Sequence, residues 1–239
     1  MFSMWAVCGV LGCSQAHDRT STEAVSPFAT GTIVAVAPAM NFSGSSAFDP
    51  VKVADLMVSE LTTIRGLRVI GVNRVLAVLG EQGLGQIQSP TQAVQVCDKL
   101  GADFILVFAV TEYDPYRPVV GLAAQLYGRR PGSLGKAGDE NAAMSNDSRP
   151  FPVSDQPDSP KPWAETQRVF NGVHDRVQHL VKEYAENREG EKSPYGWRKY
   201  LASQEWYLRF CCYRTASDLM GLSPSQAVTH ADRSEEYGS

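Results

Sequence analysis

The stretch from Ser89 to Val110 constrains the fold of this chain more than any other. Ser89 and Pro90 predict a helix start, with Ser at the cap and Pro at the first helical position. Gln92, three residues after Ser89, completes a capping box. Ala93, Val96, Cys97 and Leu100 follow at helical spacing and give one apolar face. Gly101 stands where a left-handed residue ends a helix. Then Phe104-Ile105-Leu106-Val107-Phe108-Ala109-Val110 runs apolar without a break. A strand with one wet face alternates, so this run predicts a strand inside a sheet covered on both sides.

The chain before it repeats the same grammar. Ile33, Val34 and Val36 mark a first strand within 32–39. Asp49-Pro50 opens a helix carrying Val53, Met57, Leu61 and Ile64 on one face. Gly66 closes that helix, and Leu67, Val69 and Ile70 form a short second strand. Asn73 is placed to cap a helix with Val75, Leu76 and Leu79. Beyond the central strand, Val120, Leu122, Ala124 and Leu126 alternate, as in a half-exposed antiparallel partner. Strands separated by helices predict parallel pairing. The expected fold is α/β, with a single mixed, mostly parallel sheet flanked by helices, carboxy-terminal helices and a long disordered insertion.

That insertion is expected over 128–162, where six prolines stand among Gly, Ser, Asn and Asp. Such a composition offsets little of its chain entropy by burial. Thr166 to Phe170 is a candidate edge strand. Asn171-Gly172 is placed to cap a helix with Val173, Val177, Leu180, Val181 and Tyr184 on one face. Ser193-Pro194 opens a final helical stretch. The domain plan is therefore 1–13 leader, 14–30 tether, 31–127 α/β core, 128–162 insertion, 163–222 helical completion of the core and 223–239 polar tail.

With 239 residues and 43% hydrophobic content, one good core is available. A net charge of -4 with scattered basic residues gives no reason to expect nucleic acid. The five cysteines form no C-x-x-C pair, so no thiolate metal site is expected. Cys211 and Cys212 read as buried small apolar groups. His174 and His179 are five apart and fall on different helix faces, a poor metal pair.

The amino terminus carries the most specific motif. An apolar leader ends in Val10-Leu11-Gly12-Cys13, followed by Ser14-Gln15. This resembles a bacterial lipobox, and it names Cys13 as the lipidation site. The leader has no Lys or Arg before its apolar run, which is also short for a signal. A start codon placed too far downstream accounts for both departures; a plain apolar leader of a cytosolic interaction module is the alternative.

Several motifs together resemble a known family. They are Val34-Ala35-Val36-Ala37-Pro38 with Asn41-Phe42-Ser43-Gly44, then Gly66-Leu67-Arg68-Val69-Ile70, then Leu100 to Val107 with Val110-Thr111-Glu112-Tyr113. The family is the bacterial envelope domain shared by the TolB amino-terminal domain, the curli secretion lipoprotein and the lipoproteins that activate penicillin-binding proteins. The resemblance covers about 31–127. It implies a periplasmic, lipid-anchored, non-enzymatic α/β domain that binds envelope protein partners and needs no cofactor. Pore formation is not implied, because no pair of long alternating segments is present.

Two candidate sites remain. Glu112 and Asp114 lie near the end of the central strand, where α/β enzymes place their sites; a small hydrolase using them is the alternative to a binding protein, although no nucleophile or base partner accompanies them. In the last helix, Trp206, Phe210 and Tyr213 share three- and four-residue spacings. They are either core or a partner-binding surface, since aromatics dominate interface hot spots.

Overall fold

The computed structural model describes residues 24–128, 149–152, 159–188 and 194–222. The predicted leader, Cys13, residues 14–23 of the tether, the tail and most of the insertion lie outside these residues; the rest of the predicted tether is packed on the core, with Val25 bridged to Arg65 and the Phe28 ring stacked on Phe104 at 4.8 Å.

Strand β1 (Thr32–Val36) and the two-residue β2 (Met40–Asn41) run along the same side of the central strand. Pro38, which lacks an N–H, stands in the gap between them. Helix α1 (Pro50–Thr62) leads to β3 (Leu67–Ile70). Helices α2 (Val72–Gly80) and α3 (Pro90–Leu100) lead to β4 (Phe104–Asp114). Then come β5 (Val119–Gly128), β6 (Ala164–Asn171), α4 (Asp175–Glu186), α5 (Lys199–Ala202) and α6 (Gln204–Leu219). The sheet order is β3-β1-β4-β5-β6, with β2 also paired to β4.

The sheet is mixed, as predicted. Pairings of β1 with β3 and β4, and of β2 with β4, are parallel. The β4–β5 and β5–β6 pairings are antiparallel and join the longest strands, of 11, 10 and 8 residues. The antiparallel half thus carries more of the ladder than a mostly parallel sheet would.

Alternation along β4 feeds two cores. Phe104, Leu106, Phe108 and Val110 face α1, α4, α5 and α6. Ile105, Val107 and Ala109 face α2 and α3. Every residue from Phe104 to Val110 is buried, which matches the unbroken apolar run.

The caps hold to the sequence rules where the signals were strongest. Asp49 accepts from the Val51 and Lys52 amides, and Pro50 begins α1. Ser89 Oγ accepts from the Gln92 amide at 3.2 Å. Gln92 Oε1 reaches one residue further back than a capping box requires and accepts from the Gln88 amide at 2.7 Å. Gly101 adopts φ 64° at the end of α3.

Several expectations need correction. Strand β5 is buried on both faces from Val119 to Tyr127, not half-exposed. It lies inside the sheet because β6 pairs on its far side. Helix α2 is capped at Gly71 rather than Asn73. Helix α1 ends at Thr62, with Thr63 as its cap, and Gly66 at φ 92° leads into β3 instead. Helix α4 is capped at His174, while Asn171 closes a turn by accepting from the Val173 amide. The final helical stretch is broken at Ser203, whose extended backbone separates α5 from α6. Within the predicted insertion, Arg149–Pro152 is ordered, and Phe151 is buried in the α2–α3 core.

Candidate partner-binding face

Helix α6 packs along α1 and the β5–β6 side of the sheet. Its aromatic stripe does not meet one environment. Trp206, in the first turn, keeps 39% of its surface exposed. Phe210, one turn on, is fully buried against Phe170, Tyr184 and Tyr207. Tyr213 is half-buried, its ring 5.0 Å from that of Tyr184. Residues of α4 and α5 lie across the middle of the stripe, so the helical spacing is kept while exposure changes along it.

Trp206 is framed by cations. Lys199 Nζ lies 4.6 Å and the Arg209 guanidinium 5.3 Å from its ring centroid. Tyr200 meets it edge-on at 5.4 Å. Nearby, Arg198 stacks on Trp197 at 5.0 Å, and Lys52 pairs with Glu205 at 3.0 Å. A half-exposed indole between two cations presents an amphipathic, positively charged surface.

Beneath this face lies a charge cluster that the sequence reading missed. Glu60 of α1 has no exposed side-chain surface. Its Oε2 accepts from Arg188 at 2.9 Å and from the Tyr184 hydroxyl at 3.0 Å. Arg209 lies 3.8 Å from Oε1, which has no hydrogen-bond donor. Arg188 also donates to Thr63 Oγ1 at 2.7 Å and lies over the Tyr184 and Tyr213 rings. Burial raises the Glu60 carboxyl above its ordinary value, and Arg188, Tyr184 and Arg209 pull it back only in part. Burial also raises the Tyr184 phenol, with the Glu60 charge adding to the effect. The cluster ties α1 to α4 and α6 and so holds the helical face in place. One signal was present: Glu60 sits three residues after Met57 and seven after Val53, on the apolar face of α1.

The predicted carboxylate pair is arranged differently. Asp114 Oδ1 accepts from the Tyr116 and Arg117 amides at 2.9 and 3.1 Å. Its Oδ2 accepts from Arg117 Nε at 2.8 Å. The Tyr116 amide and the Arg117 side chain hold the carboxyl below the usual range. This is a turn-closing carboxylate. Glu112 is exposed, beside a bulge that shifts the β4–β5 register after Val110. His174 and His179 are both exposed, and no group of metal-ligating side chains occurs among the described residues. Asn41, the last residue of β2, spends its side chain on Ser43 and Ser45 in the loop that follows. Cys211 and Cys212 are buried and unpaired by disulfide.

A second polar site lies on the opposite face of the sheet. Gln125 of β5 is fully buried, and all four hydrogen-bonding positions of its carboxamide are used. Oε1 accepts from the Phe151 amide at 3.0 Å and from the Tyr127 hydroxyl at 3.1 Å. Nε2 donates to the Phe151 carbonyl at 3.1 Å and to Glu165 at 3.3 Å. Glu165 also pairs with Arg149 at 3.0 Å. Nothing local in β5 distinguishes Gln125; its role depends on a segment 26 residues away.

No helix among the described residues is long and apolar enough to cross a membrane. No protein-family model matches the chain, and no curated protein sequence does. Among solved structures, the chain is similar to the lipoprotein GNA1162 from Neisseria meningitidis, at 15% identity and a TM-score of 0.39, over 68% of this chain and 99% of that one. It is similar to the LpoB C-terminal domain from Salmonella enterica, at 14% identity and a TM-score of 0.36, over 43% of this chain and 75% of that one. It is also similar to the hypothetical protein CT253 from Chlamydia trachomatis, at 12% identity and a TM-score of 0.34, over 74% and 98% of the two chains. Bacterial lipoprotein domains thus stand among the structures this α/β chain is similar to.

Proposed function

We propose that this chain is a non-enzymatic, lipid-anchored protein of the bacterial cell envelope that binds or assembles protein partners. The observation that carries the reading is Trp206. It is the most exposed aromatic of α6, beside the buried Tyr207 and Phe210, and it is set between Lys199 and Arg209. Solvent contact of an indole has a cost that a partner's surface removes, and Trp is among the commonest hot-spot residues. Phe210 and Tyr213 continue the same helical stripe and hold α6 to Tyr184 of α4, and Cys13 supplies the anchor on the periplasmic side of a membrane. The lipobox-like Val10-Leu11-Gly12-Cys13 and the family resemblance of 31–127 point the same way.

Two variants test the reading, each made in the full chain. Cys13→Ala should move the protein from the detergent phase to the aqueous phase, since burying acyl chains is what holds an anchored protein. Equal partition of both forms would remove the anchor. Trp206→Ala should shift the melting temperature little but reduce partner recovered by crosslinking in envelope preparations. Phe108→Ala is the control: Phe108 is fully buried in the central strand, and its loss should cost about 3–5 kcal/mol. If Trp206→Ala destabilises as much as Phe108→Ala and spares the crosslinks, Trp206 belongs to the core.

A further inference from the structure

The segment Arg149-Pro150-Phe151-Pro152 lies on the sheet as a ligand would. Each proline fixes its own φ and pushes the residue before it out of the helical region. Arg149 and Phe151 both precede a proline, so the tetrapeptide is extended by its own sterics. It belongs to no helix and no strand of the sheet.

Three groups receive it, and each reads a different feature. The Gln125 carboxamide makes the pair of hydrogen bonds to the Phe151 backbone that a neighbouring strand would make, at 3.0 and 3.1 Å. These bonds recognise extended backbone of any sequence. The Phe151 ring, 5% exposed, lies 6.1 Å from the Tyr127 ring, a contact that selects an aromatic. Glu165 pairs with Arg149, which selects a cation two residues earlier. Backbone bonds that hold a peptide and side-chain contacts that choose it are the two parts of a peptide-recognition site. Tyr127 and Glu165 also engage the two remaining positions of the Gln125 amide. The amide is thereby oriented before a peptide arrives.

We infer that Gln125, Tyr127 and Glu165 form a recognition site for an extended peptide with Arg two residues before a large aromatic. Arg149–Pro152 fills it in cis, and a partner protein's segment of the same pattern takes its place. The resident segment is joined to β5 through 20 residues, 129–148. A segment held in cis acts at an effective concentration on the order of millimolar, so a partner segment takes its place by binding more tightly or by reaching that concentration. The site lies across the sheet from Trp206 and works whether or not Cys13 carries lipid.

The probe is a blocked peptide of residues 147–154. The vacated protein is the full chain with Arg149→Ala and Phe151→Ala, and the readout is the Gln125 side-chain amide resonance during titration. The peptide should bind the vacated chain saturably, at least about 10-fold tighter than the unmodified chain, whose own segment must first be displaced. A probe with Phe151→Ala or Arg149→Glu should bind at least about 10-fold more weakly. Trp206→Ala should leave the binding unchanged, which separates this site from the proposed partner face. A vacated chain that keeps its melting transition but shows no saturable binding would overturn the inference, as would equal binding of a scrambled peptide. If the vacated chain does not fold, the unmodified chain decides. Peptide well above millimolar should then shift its Gln125 amide resonance, and an unmoved resonance would overturn the inference.

Discussion

Arg188 meets the fully buried carboxylate of Glu60 at 2.9 Å and so joins the chain just past the end of α4 to the last turn of α1. Among the described residues no other cation hydrogen-bonds Glu60, since Arg209 stands 3.8 Å away. Removing Arg188 would leave a buried charge with one hydrogen bond from Tyr184. Arg188→Ala should therefore cost about 2–4 kcal/mol. That is somewhat under the usual penalty for breaking a sealed pair, because Arg188 keeps 27% of its side-chain surface exposed. Urea melts would measure it. The double variant with Glu60→Gln should be less unstable than the sum of the two singles, because the second change removes the stranded charge.

The same carboxyl makes stability depend on pH in a definite direction. Burial raises the Glu60 carboxyl above its ordinary 4.5 in the folded protein. The folded state therefore holds that proton more tightly than the unfolded chain does. Its contribution is fully present below the ordinary value and is lost as pH rises through the raised one. Glu60→Gln cannot lose a proton there. Relative to Glu60→Gln, the unmodified chain should lose stability as pH is raised from 4.5 and then level off. Melts across a pH series would show it. A difference with the opposite slope would mean that attraction to Arg188 outweighs burial.

Gly121 marks a close approach between β4 and β5. A Cβ built there would lie 2.5 Å from Thr111 Oγ1 and 3.0 Å from both the amide and the Cβ of Glu112. All three atoms belong to Thr111 and Glu112, the residues at the bulge that follows Val110. Gly121→Ala should cost about 1–3 kcal/mol by overpacking. Gly85→Ala is the comparison, since a Cβ there meets nothing within 4 Å; its melting temperature should stay close to that of the unmodified chain.

Burial raises the Cys211 and Cys212 thiols, and both side chains are fully buried. Thiolate is the reactive form, so neither should react in the native state. Alkylation of these two residues, followed by mass spectrometry at rising urea, should track global unfolding. Reaction well below the unfolding midpoint would reveal local opening of α6.

What the sequence determined by itself is the set of features whose causes are local. Asp49-Pro50 and Ser89-Pro90 start helices because the cap side chain and the proline ring act within three residues of themselves. Gly101 ends α3 because a left-handed residue is needed at one position. The Phe104–Val110 run could only be a covered strand, since a wet face would have required polar alternation. The tertiary structure decided whatever depends on a distant neighbour. Val120 to Leu126 alternates as a half-exposed strand would, yet β6 pairs on its far side, helices cover one face and Phe151 lies on the other. Trp206 and Phe210 share one helical stripe, and only the packing of α4 and α5 across it leaves the first in solvent and buries the second. Glu60 stood visibly on an apolar face, but its partners Arg188 and Arg209 come from α4's end and α6, more than 120 residues on. Gln125 had no local signal at all, because a carboxamide's role is set by the four groups that meet it, and here two belong to Phe151, inside the predicted insertion.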